Sequence, residues 1–359
     1  MQAAIKNLIR RIGSAGLPLL TLFVLSSAPA AAAEFKANTM RFDHITVADG
    51  LAQSSVMAIA QDNYGFLWFA TESGLNRYDG VTFRNYRSER GNPNTLASDF
   101  IRDLNLAADG SLWIATDGGG VSRWNPASDT ITTYRHDPED PTSLPTDRIR
   151  TILADGDHVW VGTRNAGLSR LDIASGKFTH YASDPEIEGA LSSNEIYALA
   201  TPGNGVLWIA SSAGLDQLSV TTGEITKFPI DIENGDLSAE IGVRALYISA
   251  DGTLWIGTGK HGLLEIQPES GGVKRYSHDP DLPRSISSNR VESIFEDDTR
   301  QLWIGTDKGL NLMHAATGDF EVFANVPADP NSLSDNNIFS IFQDAGGLLW
   351  VGTRSGGLN

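Results

Sequence analysis

Short segments of mixed apolar and polar residues recur along the chain, as in Val56-Met57-Ala58-Ile59, Ile149-Arg150-Thr151-Ile152 and Ile338-Phe339-Ser340-Ile341. Read as alternation with a period of two, each predicts a β-strand with one buried face. A polar turn follows, at Asp62-Asn63-Tyr64-Gly65, Asp109-Gly110 and Asp251-Gly252. Asp and Gly supply the backbone conformations of a tight hairpin. The next strand is a tryptophan motif such as Gly65-Phe66-Leu67-Trp68-Phe69-Ala70-Thr71. A small residue lies two after each tryptophan (Ala70, Ala115, Gly162, Ala210, Gly257, Gly305, Gly352), where a neighbour can approach closely. A glycine then recurs at 74, 120, 167, 214, 262, 309 and 357 and predicts a positive-φ turn. Third strands follow at Gly74-Leu75-Asn76-Arg77-Tyr78 and Gly167-Leu168-Ser169-Arg170-Leu171, and fourth strands at Phe83-Arg84-Asn85-Tyr86 and Phe178-Thr179-His180-Tyr181.

The beat is regular. Tryptophans 68, 113, 160, 208, 255, 303 and 350 are separated by 45, 47, 48, 47, 48 and 47 residues. A period in this range signals a repeat architecture. Trp124, off the beat, occupies the slot of Tyr78 and Leu171 and reads as core filling. Four short antiparallel strands per repeat make a propeller blade. The expected fold is therefore an all-β, seven-bladed β-propeller, and its open edges require the ring to close. The seventh repeat stops within its third strand at Asn359, which reads as the truncated end of a longer product. The segment from Met40 to Ile45 resembles a fourth strand with nothing before it. It is expected to complete the last blade; the alternative is a leader from a preceding partial blade, with the seventh blade finished by further sequence.

Composition narrows the class. The 359 residues are 41% hydrophobic and 20% charged, with no cysteine and a net charge of −17. Disulfides, thiolate nucleophiles and Cys-ligated metals are excluded. No basic stripe is visible, so no nucleic-acid partner is expected. Lys6, Arg10 and Arg11 precede an apolar run from Leu17 to Leu25, with Ala31-Ala32-Ala33 or Ala28-Pro29-Ala30 as cleavage site. Residues 1–33 read as a Sec-type signal peptide, or an uncleaved anchor, and residues 34–359 as the propeller. The expected location is the periplasm.

Leu302-Trp303-Ile304-Gly305-Thr306, continuing to Gly309-Leu310-Asn311, resembles the two-component regulator propeller repeat, and Ser287-Ser288-Asn289 and Leu333-Ser334-Asp335-Asn336 before the first strand agree with it. The resemblance implies the periplasmic sensor region of a hybrid histidine kinase or a diguanylate cyclase. The output domain, a membrane helix and any dimer contacts would lie in C-terminal regions that this sequence lacks.

Features that recur in every blade serve the fold, so the tryptophans, the glycines and the following Thr residues read as structural. Ligand chemistry is expected where the repeats disagree, in the loops after each Thr. The candidates are Glu72, Asp117, Arg164, Asn165, Lys260, His261, Asp307, Lys308 and Arg354, with Arg148, Arg244 and Arg290 as further candidates at the channel mouth. Both charge signs suit a small polar ligand, such as an oligosaccharide or a peptide. No catalytic residue, metal or cofactor is expected: the seven histidines are scattered, and no HExxH, Gly-x-Ser-x-Gly or phosphate-loop pattern occurs in its required context. The other readings are an exported propeller lyase or glycosidase acting on polysaccharide, and a protein-interaction scaffold.

Overall fold

The structure is a computed structural model that describes residues 40–232, 235–236, 242–268 and 270–359. The expected signal peptide lies outside the described residues. Every described strand lies within the compact unit Arg41–Asn359. Apart from the 3-10 turn Val47–Asp49, the regular elements of that unit are strands. No helix among the described residues is long and apolar enough to cross a membrane.

Six antiparallel sheets of four strands succeed one another, each running from the channel outward. Blade 1 runs from Val56–Gln61 to Phe83–Tyr86, blade 2 from Ile101–Leu106 to Thr130–Tyr134, and blade 3 from Ile149–Asp155 to Lys177–Tyr181. Blade 4 runs from Ile196–Ala200 to Ile225–Phe228, blade 5 from Val243–Ile248 to Gly272–Tyr276, and blade 6 from Val291–Glu296 to Asp319–Phe323. The inner strands touch in this order around a central channel.

The expectation of seven four-stranded blades is overturned, because only six sheets among the described residues have four strands. The seventh repeat forms a two-stranded hairpin, Ile338–Gln343 with Leu349–Thr353, whose inner strand lies between those of blades 6 and 1. Beyond Gly357 it offers only Leu358 and Asn359, where the blades have a strand of five or six residues. Leu358 makes single bridges to Gly352 and Ile45. The strand expected over Met40 to Ile45 does not form either; within it only Ile45 joins the hairpin, exchanging N–H···O=C bonds of 3.0 and 2.9 Å with Leu358. Two isolated bridges are too few to count as strands.

Neighbouring blades meet at the small residue after each tryptophan. A Cβ on Gly162 would lie 2.8 Å from Ile196 Cγ2 of the next blade, and one on Gly257 would lie 2.7 Å from Val291 Cγ1. Around the join of the ring, a Cβ on Gly352 would lie 2.9 Å from Val56 Cγ1. The first apolar residue of each inner strand thus packs onto the preceding blade's second strand, and those residues are fully buried at 0–1% exposure. Trp124 is core, as expected, with its ring 4.6 Å from that of Trp68.

All seven periodic tryptophans are buried. In three repeats the residue six before the tryptophan is an aspartate that accepts from the indole N–H. The distances are 2.8 Å for Asp62 and Trp68, 2.8 Å for Asp297 and Trp303, and 2.7 Å for Asp344 and Trp350. The other carboxylate oxygen takes two backbone N–H groups of the hairpin turn, as Asp62 does from Tyr64 and Phe66. Ser249 serves Trp255 in the same way. Blades 2 and 3 carry Ala107 and Ala154 at this position, and there the indole nitrogens of Trp113 and Trp160 are buried without a partner. The aspartate therefore ties the turn to the core. Asp62→Ala should destabilise the protein by about 1–3 kcal/mol, because it orphans a buried indole N–H and two turn amides. Urea unfolding checks this, and an unchanged midpoint would refute the role.

Candidate functional site in the central channel

The loop between the second and third strands is latched in the same way in every repeat, at a span of three or four residues. The Thr hydroxyl donates to the carbonyl of the following glycine, at 2.8 Å from Thr163 to Gly167 and 2.9 Å from Thr353 to Gly357. The same oxygen accepts a loop amide, from Ala166 at 2.8 Å and from Gly356 at 2.9 Å. Ser211 does the same work in blade 4. The glycine carries the predicted positive φ, for example 79° at Gly167 and 84° at Gly262. A hydroxyl committed in this way is a latch and not a nucleophile. It holds each loop, with the variable residues it carries, on the rim of the channel.

The inner strands supply the wall. Each pairs with its neighbour through a register shift that leaves one residue extra: Met57, Arg102, Arg150, Tyr197, Arg244, Glu292 and Phe339 in chain order. A bulge of this kind re-aims a side chain and commonly sits beside a functional site. All of these residues line a central cavity of about 690 Å³.

Charge inside the channel is organised in clusters. Asp117 gathers three arginines, with Arg102 at 3.0 Å, Arg148 at 3.1 Å and Arg164 at 3.1 Å. Burial works to raise Asp117, yet the hydrogen bonds and charges of Arg102 and Arg148 hold it below the usual carboxylate range. Arg150 pairs with Glu195 at 3.0 Å and lies 4.0 Å above the Tyr197 ring, whose hydroxyl donates to the same carboxylate at 3.1 Å. Arg244 lies 3.2 Å from Glu292, and Arg290 bonds to its other oxygen. Glu72 and Arg354 line the cavity, are exposed, and have no side-chain partner among the described residues.

Of the loop residues expected to bind ligand, the cavity wall includes Glu72 and Arg354, and Asp117 with Arg164 forms the cluster beside it. Asn165, Lys260 and Lys308 are exposed and His261 and Asp307 half-buried, and none of the five lines the cavity. Arg244 and Arg290 do line it. Sequence reading missed Arg102, Arg150, Tyr197, Glu292 and Phe339. The signal was present: the apolar residues of the inner strands stand three apart, as in Ile101 and Leu104 or Val291 and Ile294. That spacing is odd for a regular strand and marks one inserted residue. Two histidines are structural, since His136 and His278 bond through Nδ1 to the carbonyls of Leu144 and Ile286.

Asp103 is the exception among the small residues that follow the bulges. Its carboxylate reaches the next blade, accepting from the Thr151 hydroxyl at 2.8 Å and the Ile152 amide at 3.0 Å. Burial pushes it up to about 6, against the lowering effect of those hydrogen bonds. An acid raised on folding favours the folded state below its unfolded value, and the advantage is lost as pH rises through the folded one. Stability should therefore fall between pH 4 and 6 by up to about 3 kcal/mol from this group. Asp103→Asn, which keeps an acceptor for the Thr151 and Ile152 donors and gives up the one for the Leu104 amide, should flatten that slope in urea unfolding measured across the window; an unchanged slope would assign the dependence elsewhere.

Residues 50–73, 285–308 and 332–355 match the two component regulator propeller model, the repeat that their motif resembles. A stretch of 47 residues is 53% identical to Histidine kinase P4 of Formosa agariphila, covering 13% of this chain and 3% of that protein. The extracellular domain of a putative hybrid two component system from B. thetaiotaomicron superposes with a TM-score of 0.76 at 29% identity, over 89% of this chain and 41% of that one. A second such domain from the same organism gives 0.72 at 25% identity, over 88% and 39%. Virginiamycin B lyase from Staphylococcus aureus, at TM-score 0.61 and 15% identity over 85% and 94%, shares the fold alone. The chain spans about two-fifths of the length of these extracellular domains.

Proposed function

We propose that the chain is the ligand-sensing propeller of an exported bacterial signal-transduction protein. A small polar ligand enters the channel mouth, and its binding is passed to an output domain, a histidine kinase or a diguanylate cyclase. The observation that carries this reading is the wall of the channel. The bulged positions share one backbone geometry but hold Met, Arg, Arg, Tyr, Arg, Glu and Phe, so a common scaffold presents an individual set of side chains. Loops and bulges on a rigid frame are where recognition is usually placed. The likeness to extracellular domains of two component systems supports both the sensing role and a location outside the cytoplasm, for which the periplasm is the specific proposal. Ligand binding would act by changing the packing of blades around the channel, since the clusters at Asp117 and Glu292 each join adjacent blades.

The test is a thermal-shift screen of the purified protein against glycans, peptides and small metabolites. A binder at a hundred times its Kd adds about 2.7 kcal/mol and raises Tm measurably. Substituting Arg244 or Arg354 by Gln should abolish that shift, and in the full-length gene the response to the same compound. No shift with any class, together with unaltered signalling by both variants, would overturn the reading.

A further inference from the structure

We propose that the ligand is anchored through a carboxylate, held by Arg354, Arg290 and Arg244 on the side of the channel formed by blades 5 and 6 and the hairpin. This deepens the sensing reading and rests on it. The chain as a whole carries −17, so basic charge in its channel runs against the bulk composition. Most of the channel's guanidinium groups are already bonded to a carboxylate. Arg102, Arg148 and Arg164 converge on Asp117, and Arg150 is held between Glu195 and the Tyr197 ring. These groups are locked into the wall and are poor donors to a ligand.

The opposite side differs. Arg244 and Arg290 share one carboxylate, Glu292, whose side chain is 10% exposed, while their own side chains are 33% and 41% exposed. Arg354 is exposed and has no side-chain partner among the described residues. Three guanidinium groups thus line one cavity, and one of them, Arg354, holds no carboxylate. A guanidinium keeps its charge at any physiological pH and offers a planar fork that fits a carboxylate through two N–H donors. Glu72, in the corresponding loop of blade 1, also lines the cavity but forms no ion pair with Arg354. It leaves Arg354 free to bond and disfavours a second anionic group on its own side. A cavity of about 690 Å³ takes a small organic acid or a short acidic sugar chain. Both offer the same carboxylate, and the neighbouring Phe339 supplies an apolar face for the rest of the molecule.

Isothermal titration of the protein at low salt decides the matter, with trigalacturonate, citrate and the neutral sugar maltotriose as probes. Binding of trigalacturonate or citrate, weakened on the order of tenfold or more in Arg354→Gln and Arg290→Gln, is the expected result. Trigalacturonate alone would identify an acidic sugar chain, and citrate alone a small acid. Arg354→Gln removes an exposed, unpaired side chain and leaves the fold intact, which its urea midpoint verifies. The proposal is overturned if neither acid binds, or if binding survives both substitutions. Binding of maltotriose with neither acid would sink the carboxylate anchor while leaving the sensing role standing; silence from every probe and from the wider screen would sink both.

Discussion

Everything in this molecule depends on how closely one blade can approach the next. The first apolar residue of an inner strand rests on the small residue of the preceding blade, and a methyl group at Gly162, Gly257, Gly305 or Gly352 would intrude on it. This contact fixes the distance between inner strands and so the width of the channel. It also explains why the small residue is Ala or Gly in every repeat, and why hydrophobic burial here is distributed around a ring and not gathered in one centre. The same contact joins Gly352 to Val56, so the hairpin of the seventh repeat is held to blade 1 by side-chain packing although its sheet has only two strands.

A second layer of constraint is polar. In three repeats the indole N–H of the buried tryptophan finds an acceptor in the aspartate six residues earlier, which also organises the hairpin turn. Burial works to raise Asp297, but its bonds from Trp303, Thr299 and Gln301 hold it below the usual carboxylate range. At the other end of the same strand the Thr latch fixes the loop on the rim. One strand is therefore pinned at both ends, by a carboxylate on one face of the disc and by a hydroxyl on the other. The rim residues inherit that rigidity, which is what recognition by preorganised side chains requires.

The repeat, its strands, the positive-φ glycines and the role of the Thr hydroxyl were legible in the sequence because each is stated many times. Repetition separates a rule from an accident. The blade count was not legible, because a tryptophan motif announces the second strand of a blade and is silent about the outer two. Trp350 has its motif, yet only Leu358 and Ile45 stand where outer strands would be. The site was half legible. Variable loops led to Glu72, Asp117, Arg164 and Arg354, all of them in or beside the channel. The bulged residues were passed over, because reading Ile149 to Ile152 as simple alternation hides the extra residue between them. Lys260 and Lys308, from the same kind of variable loop, are exposed and lie outside the cavity wall.

The bulge resolves a conflict that any ring of this kind faces. The inner strands carry mostly small residues where they pack against their own second strands, as Ala58, Ser293 and Ser340 are opposite Ala70, Gly305 and Gly352. A regular strand would turn every other side chain to the channel but could not give that position freedom from the pairing register. One unpaired residue per strand frees it, so Arg150, Tyr197 or Glu292 can stand at equivalent places without disturbing the contact beneath. Chemistry in the channel is thereby uncoupled from the packing that holds the ring. A scaffold with that property can exchange one ligand for another by changing side chains at the bulges and the rim alone, and the pattern of this channel, with the arginines of one side bonded to carboxylates and Arg354 on the other bonded to none, is one setting of it.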